Sequence, residues 1–194
     1  MSLLDQNITK YFLKWKGSQG QGFGFKDCKI QKEDGEQIGK LETEGQPGGP
    51  SKKNYLYDNE NLVLFTTKSN WSLGGKYYIK DSENNQIAIV KGKALSRKRN
   101  FTMKNLRGDK ILTFKSFGVL EDRPHEINSI DGKNIAKFSV KVEYVKQSDW
   151  GQAIPNNCSC TLQIIDSNFN RKILLGMFIS CLSSYIDFVA GKMN

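Results

Sequence analysis

The densest group of residues that could do chemistry is a basic run over residues 91–99, followed closely by Lys104 and Arg107. Arginine makes bidentate contacts with phosphate, and lysine adds point charge. The run therefore predicts a site for a phosphate-bearing partner, with an ordinary solvated loop as the alternative. Nucleic acid is an unlikely partner because no recognisable nucleic-acid-binding module is present. The predicted site residues are Lys91, Lys93, Arg97, Lys98, Arg99, Lys104 and Arg107.

The whole chain is basic, with a net charge of +9 over 194 residues. This charge favours an acidic partner such as an anionic membrane surface, although solubility alone would also explain it. The hydrophobic fraction of 38% is typical of a folded protein. The length suits one domain, and we find no linker that would divide residues 1–194.

No arrangement typical of catalysis stands out, and we predict that the protein is not an enzyme. We interpret the single histidine, His125, as structural. No CxxC pair occurs, so a zinc site is not expected and no cofactor is predicted. The N-terminus has no apolar signal core, which favours an intracellular protein, cytoplasmic or peripheral to a membrane, with free thiols. Its cysteines are Cys28, Cys158, Cys160 and Cys181.

Turn signals rich in Asp, Asn and Gly recur at steps of about 24 residues between Asp34 and Asp131. This spacing suits one hairpin plus its connection. The clearest strand is Ile135–Tyr144, where apolar and polar residues alternate. Three stretches are predicted as loops: Gly17–Gly24, Gly45–Lys53 and Gln147–Asn157. The predicted strands are Tyr11–Lys16, Phe25–Gln31, Ile38–Glu42, Asn54–Asp58, Leu62–Lys68, Tyr77–Lys80, Ile87–Lys91, Phe101–Lys104, Ile111–Phe114, Pro124–Ile130, Ile135–Tyr144 and Cys158–Ile165.

The most continuous apolar stretch, Ile173–Ala190, predicts a helix over residues 171–190. Small or polar residues from Gly176 to Asp187 fall on one face of it, which would let strands approach closely. A membrane span and a helix docked on a partner are the alternatives. Twelve strands leave exposed edges unless the sheet closes, and a barrel of that size is too wide to be filled by strand side chains alone. We therefore predict a mainly β fold, a closed barrel of about twelve antiparallel strands that encloses the C-terminal helix.

Two tryptophans lie near lysines, Trp15 and Trp71. Exposed tryptophan beside lysine is typical of a membrane interface. Packing inside the fold is the alternative interpretation for both.

The segments Lys76–Lys115, 126–137 and Lys172–Asp187 resemble the tubby C-terminal-like superfamily, which includes phospholipid scramblases and LURP-one-related proteins. The likeness lies in the succession of strands, turns and a basic loop, and in a terminal helix that ends in Ile-Asp. This resemblance implies a twelve-stranded barrel around a central C-terminal helix. It also implies that basic residues on the barrel surface bind phosphoinositide or other phospholipid headgroups.

The same resemblance places a calcium-binding segment just before the helix. Asp166 and Asn168 stand at plausible ligand positions, but the residues that follow them are few and basic. Calcium takes six to eight oxygens, several of them anionic. We therefore predict no metal site and keep Asp166 and Asn168 only as weak candidates.

These observations lead to one functional hypothesis and two alternatives. The first is a non-enzymatic domain that binds anionic phospholipid headgroups at a membrane surface. The second is a structural scaffold subunit that docks protein partners within a larger assembly. The third and weakest is lipid scrambling, with the C-terminal helix inserted in the bilayer.

Overall fold

Twelve strands and one helix make up a closed antiparallel barrel in the computed structural model, which describes residues 2–16, 24–45, 52–69, 75–92, 100–115, 124–146 and 153–191. The elements are β1 Lys10–Lys16, β2 Cys28–Gln31, β3 Gln37–Glu44, β4 Lys53–Asp58, β5 Asn61–Lys68, β6 Lys76–Asp81, β7 Gln86–Gly92, β8 Phe101–Lys104, β9 Lys110–Lys115, β10 His125–Ser129, β11 Asn134–Lys146, β12 Ala153–Ile164 and α1 Arg171–Gly191. Each strand pairs with its sequence neighbours, and β1 closes the barrel against β12. The predicted fold class is confirmed.

Two predicted boundaries are wrong for physical reasons. Residues 153–157 were predicted as part of a loop, but they extend β12 because β11 is long enough to pair with them, up to Lys146 with Ala153. This pairing overrides the local turn tendency of the proline and asparagines there. At β2, the left-handed backbone of Asp27, with φ of 51°, delays the strand to Cys28.

The recurring turn signals all lie at one end of the barrel, which we call the turn end. Four of the turns share one geometry over five residues. In each, the fourth residue has positive φ and donates its N–H to the carbonyl of the first residue. The fourth residues are Gly35, Asn84, Gly108 and Gly132. Left-handed backbone favours glycine and asparagine, which explains the periodic signal. The opposite end, here the far end, carries the strand ends Lys16, Glu44, Lys68, Gly92, Lys115 and Lys146.

Helix α1 enters the barrel at the turn end and runs inside it. Asn170 caps the helix, because its side-chain oxygen accepts the N–H of Ile173 at 3.1 Å. The buried Arg171 guanidinium donates to the carbonyls of Gln6 and Ile8, both at 3.0 Å, and ties the N-terminal segment to the helix start. Among the helices of the described residues, none has the length and apolar character needed to cross a membrane.

The small face of the helix lets the barrel wall approach, as predicted. A Cβ atom added at Gly176 would lie 2.9 Å from two side-chain carbons of Ile79 on β6. Further along this face, Ser183 accepts a hydrogen bond from the buried amide of Asn54 at 3.3 Å. The amide of Asn54 also donates to Thr66 at 3.0 Å and accepts from Thr43 at 2.9 Å. Polar contacts therefore fix the helix against β3, β4 and β5.

An aromatic cluster fills the core on the other side of the helix. Phe138 on β11 stacks on Phe114, with ring centroids 5.4 Å apart, and meets Phe178 of the helix edge-on at 5.2 Å. His125 is buried in the same cluster, 5.0 Å from Phe138 and 5.9 Å from Tyr185 between ring centroids. The buried position agrees with the interpretation of His125 as structural.

Candidate anion-binding surface

The structure places the described members of the predicted lipid-binding set at opposite ends of the barrel. Lys91 is exposed near the far end of β7. Lys104 and Arg107 are exposed at the turn end, on β8 and the turn that follows it. The predicted residues Lys93, Arg97, Lys98 and Arg99 lie outside the described residues.

A larger group of cations, missed by the sequence analysis, surrounds Lys91 at the far end. We call this group the far-rim lysines; within the described ranges none of them forms an ion pair. The far-rim lysines are Lys14, Lys16, Lys26, Lys29, Lys91, Lys115 and Lys141, and all are exposed.

Strand register brings several of these lysines side by side. Lys29 on β2 lies directly opposite Lys14 on β1, and Lys14 lies opposite Ser159 on β12. Ser159 in turn lies opposite Lys141 on β11. Like charges on opposed positions of an antiparallel pair destabilise it. The row therefore concentrates positive charge that the fold does not neutralise.

Acidic residues are most numerous on one half of the turn end, on the turns β2–β3, β4–β5 and β6–β7, although Asp109 and Asp131 lie on the other half. Those on the first half are Glu33, Asp34, Glu36, Asp58, Glu60, Asp81 and Glu83. Several pair with lysines there, for example Glu33 with Lys10 at 2.9 Å and Asp34 with Lys32 at 3.0 Å. The far end also exposes three carboxylates, Asp27, Glu44 and Glu143, but its lysines outnumber them, so the charge of the described residues is polarised between the two ends of the barrel.

The other half of the turn end exposes apolar side chains. Leu106, Ile130 and Ile165 are 66%, 56% and 47% exposed, and they are the exposed large hydrophobic residues in the described part of the chain. They lie on the neighbouring connections β8–β9, β10–β11 and β12–α1. Lys104, Arg107 and Lys110 are exposed on the first of these connections or beside it.

The weak calcium candidates form a turn rather than a metal centre. The Asp166 carboxylate accepts hydrogen bonds from the Lys133 ammonium group at 2.7 Å and from the N–H of Asn168 at 3.1 Å. Both contacts hold the pKa of Asp166 below its usual value. No group of three or more His, Cys, Asp or Glu side chains that could hold a metal occurs in the described ranges.

A buried ion cluster anchors the last turns of the helix at the far end. The Asp187 carboxylate accepts from Lys52 at 2.8 Å and from Lys68 at 2.9 Å. The Lys52 side chain is fully buried, and those of Asp187 and Lys68 are 9% and 19% exposed. Burial alone would raise the pKa of Asp187, but the charge and hydrogen bonds of the two lysines outweigh it and lower that pKa. Burial lowers the pKa of Lys52, against the attraction of Asp187.

The lowered pKa of Asp187 predicts how the stability of the barrel depends on pH. A carboxyl group with a lower pKa in the folded state stabilises the fold above its unfolded pKa, about 3.9, and this contribution disappears as the pH falls through the folded value. We therefore expect the stability difference between wild type and Asp187→Asn to be fully present at about pH 5 and to shrink below about pH 4. Urea unfolding from pH 3 to pH 8 measures it; a difference that grows on acidification would contradict the ion cluster.

The four cysteine thiols and the Trp15 ring are withdrawn from solvent. Cys28, Cys158, Cys160 and Cys181 are all buried free thiols. Burial is the main cause that raises their pKa values, that of Cys158 to about 11. Trp15 is also buried, with its ring centroid 5.5 Å from that of Phe25. This burial confirms the packing interpretation of Trp15 against the membrane-interface one, and Trp71 lies outside the described residues.

The fold and this surface define the protein as a closed twelve-stranded antiparallel barrel around a C-terminal helix, with lysines around one rim. No protein-family model, curated protein or solved structure matches the chain.

Proposed function

We propose that the protein is a non-enzymatic domain that binds anionic phospholipid at a membrane surface through its far rim. The observation that carries this proposal is the set of exposed far-rim lysines without ion-pair partners among the described residues. Each lysine near an anionic leaflet contributes about 1 kcal/mol. Several of them together are enough for reversible attachment.

The acidic half of the turn end does not cancel this attraction. β1 has seven residues, so at about 3.3 Å per residue it spans roughly 20 Å between the ends. The Debye length at physiological salt is about 8 Å. The carboxylates at the turn end are therefore screened from a bilayer at the far rim, and the charge polarisation orients the barrel with its far end toward the membrane.

Flotation with liposomes tests the orientation with two variants of equal charge. One variant replaces Lys91, Lys115 and Lys141 by serine, and the control replaces Lys104, Arg107 and Lys110 by serine. We expect the far-rim variant to lose about 3 kcal/mol, on the order of 100-fold in affinity for phosphatidylserine liposomes. The control variant should lose clearly less affinity, because Lys104 and Lys110 lie two residues farther from the far rim than Lys91, and Arg107 lies on the turn beyond them.

Each other result has a distinct meaning. Equal losses in both variants would show attraction by net charge without a defined face. A loss in the control variant alone would assign the membrane contact to the turn end. No binding to anionic liposomes at physiological salt would overturn the proposal, and salt-resistant binding to neutral liposomes would show an apolar contact instead.

The second candidate function is a structural scaffold that docks a protein partner. It is favoured by the exposed side chains of Leu106, Ile130 and Ile165 on neighbouring connections of the turn end. Clustered exposed apolar side chains are typical of interaction surfaces. The two candidates use opposite ends of the barrel, so serine substitutions of these three residues should leave the flotation unchanged. Membership of the tubby C-terminal-like superfamily remains a prediction from sequence resemblance.

A further inference from the structure

A cleft lies around the far end of β1 and is lined by residues of β1, β2, β11 and β12 and by Asp27. The ladder between β1 and β2 joins Phe12–Lys14 to 29–31 and stops there. Asp27, with its left-handed backbone, precedes β2 on the far side of this point. The cleft has a volume of about 520 Å³. The buried residues Trp15 and Cys158 belong to its lining.

Three lysines converge on this cleft: Lys14, Lys16 and Lys29. Lys14 and Lys29 are directly opposed on the two strands, and Lys16 follows two positions later on the same face of β1. Mutual repulsion of the opposed pair destabilises the strand pairing. An anion between these ammonium groups would remove that repulsion.

Two acidic groups also line the cleft, which leaves a formal charge of +1 when they are counted against its three lysines. Asp27 and Glu143 both line it, yet neither forms an ion pair with a described residue. Glu143 accepts instead from the side-chain amide of Asn157 at 3.1 Å. The carboxylates, with the hydroxyl of Ser159, are suited to contact the hydroxyl groups of a ligand.

The size and chemistry of the cleft indicate the ligand class. A volume of about 520 Å³ lies in the range of small-molecule sites and exceeds what a single phosphate fills. Lysine binds phosphate as a point charge, and three lysines offer separate contacts to the oxygens of more than one phosphate group. We propose that this cleft binds a small molecule that carries two or more phosphate groups. That molecule is either free in solution or the headgroup of a lipid.

The inference does not rest on the membrane proposal. Lys91, Lys115 and Lys141, which are substituted to test membrane binding, do not line the cleft. Liposome binding without pyrophosphate binding would therefore refute the cleft alone. Pyrophosphate binding without liposome binding would refute the membrane proposal alone.

Isothermal titration with pyrophosphate at physiological salt tests the cleft. We expect saturable binding at one site per chain, with sulfate binding at least roughly tenfold more weakly because it carries fewer charges. The variant with Lys14→Ser and Lys29→Ser should lose roughly fivefold or more in affinity per lysine. The variant with Lys104→Ser and Lys110→Ser removes the same charge away from the cleft and should bind pyrophosphate as wild type does. Absence of saturable binding, or equal losses in both variants, would overturn the proposal.

Thermal unfolding distinguishes a binding role from a structural one. Without ligand, Lys29→Ser should unfold at the same or a higher temperature than wild type, because one of two opposed charges is removed. With pyrophosphate at about 100 times its dissociation constant, wild type should gain roughly 5 °C or more and the variant much less. A lower melting temperature for Lys29→Ser without ligand would show that the lysine stabilises the fold, contrary to the proposal.

The source of the phosphate groups is decided by a competition between soluble and membrane-bound ligand. Liposomes that contain a bisphosphorylated lipid are compared with phosphatidylserine liposomes of equal surface charge. A preference for the phosphorylated lipid that pyrophosphate abolishes would assign the cleft to a headgroup. Equal binding to both liposomes, unaffected by pyrophosphate although pyrophosphate binds, would assign it to a soluble ligand.

Discussion

Replacing Asp187 by alanine is expected to lower the free energy of unfolding by about 3–5 kcal/mol. The substitution removes the carboxylate that accepts hydrogen bonds from Lys52 and Lys68, and Lys52 is fully buried. Removing one partner of a buried ion pair costs a large free energy, because the remaining charge stays buried away from water. This cost far exceeds the free energy by which the intact pair stabilises the fold relative to apolar residues at the same positions. Urea unfolding followed by circular dichroism at pH 7 measures the loss.

Two further variants show whether the buried charge causes that loss. Asp166→Ala removes a carboxylate from an ion pair in which Lys133 is 63% exposed, and should cost only a small fraction of the loss at Asp187 because solvent screens the pair. Adding Lys52→Met to Asp187→Ala should restore part of the stability because a buried cation is removed. Similar losses for Asp187→Ala and Asp166→Ala, without recovery in the double variant, would argue against the ion cluster as the anchor of the helix.

Phe138→Ala should be comparably severe, with an expected loss of about 3–5 kcal/mol. The ring is 1% exposed and packs between Phe114, His125 and Phe178, so it joins β9, β10 and β11 to the helix. Its removal leaves a cavity that the closed barrel cannot easily collapse to fill. Thermal and urea unfolding both measure this loss.

Phe12→Ala is the matched control for the aromatic core. Phe12 lies half-buried on β1 between the inward-facing Tyr11 and Leu13, so its side chain points outward. We expect a loss of about 1 kcal/mol, the value for a phenylalanine that buries only part of its surface. A loss at Phe12 as large as at Phe138 would mean that the enclosed core does not dominate stability.

The architecture could be predicted because local sequence patterns, namely hydrophobic alternation and turn residues, determine its strands and turns. The alternation in Ile135–Tyr144 predicts which residues face inward, and Ala136 and Phe138 are buried as that pattern requires. The turn signals work equally well because glycine and asparagine are needed where φ is positive. The pattern fails at residues 153–157, where pairing with β11 rather than local preference determines the strand.

The candidate site could not be predicted in the same way. Lys14, Lys29 and Lys141 are distant in sequence and become a row only through the register of four strands. The one available signal, lysines at alternate positions such as Lys14 and Lys16, indicates an outward face but not its neighbours. The contact between Lys52 and Asp187 joins residues 135 positions apart, and no local pattern reveals it.

Closure of β1 against β12 limits the order in which this protein can fold during synthesis. The strand made first pairs with β2 on one side, but it gains its second neighbour only when the strand made last among the twelve has left the ribosome. The helix that occupies the middle of the barrel follows that strand. Hairpins such as β4–β5 can form early from nearby residues, but the enclosed core cannot assemble around a helix that has not yet been made. A nascent chain therefore exposes the inner faces of its strands until the helix has been made, so a cell must shield them from aggregation during that time.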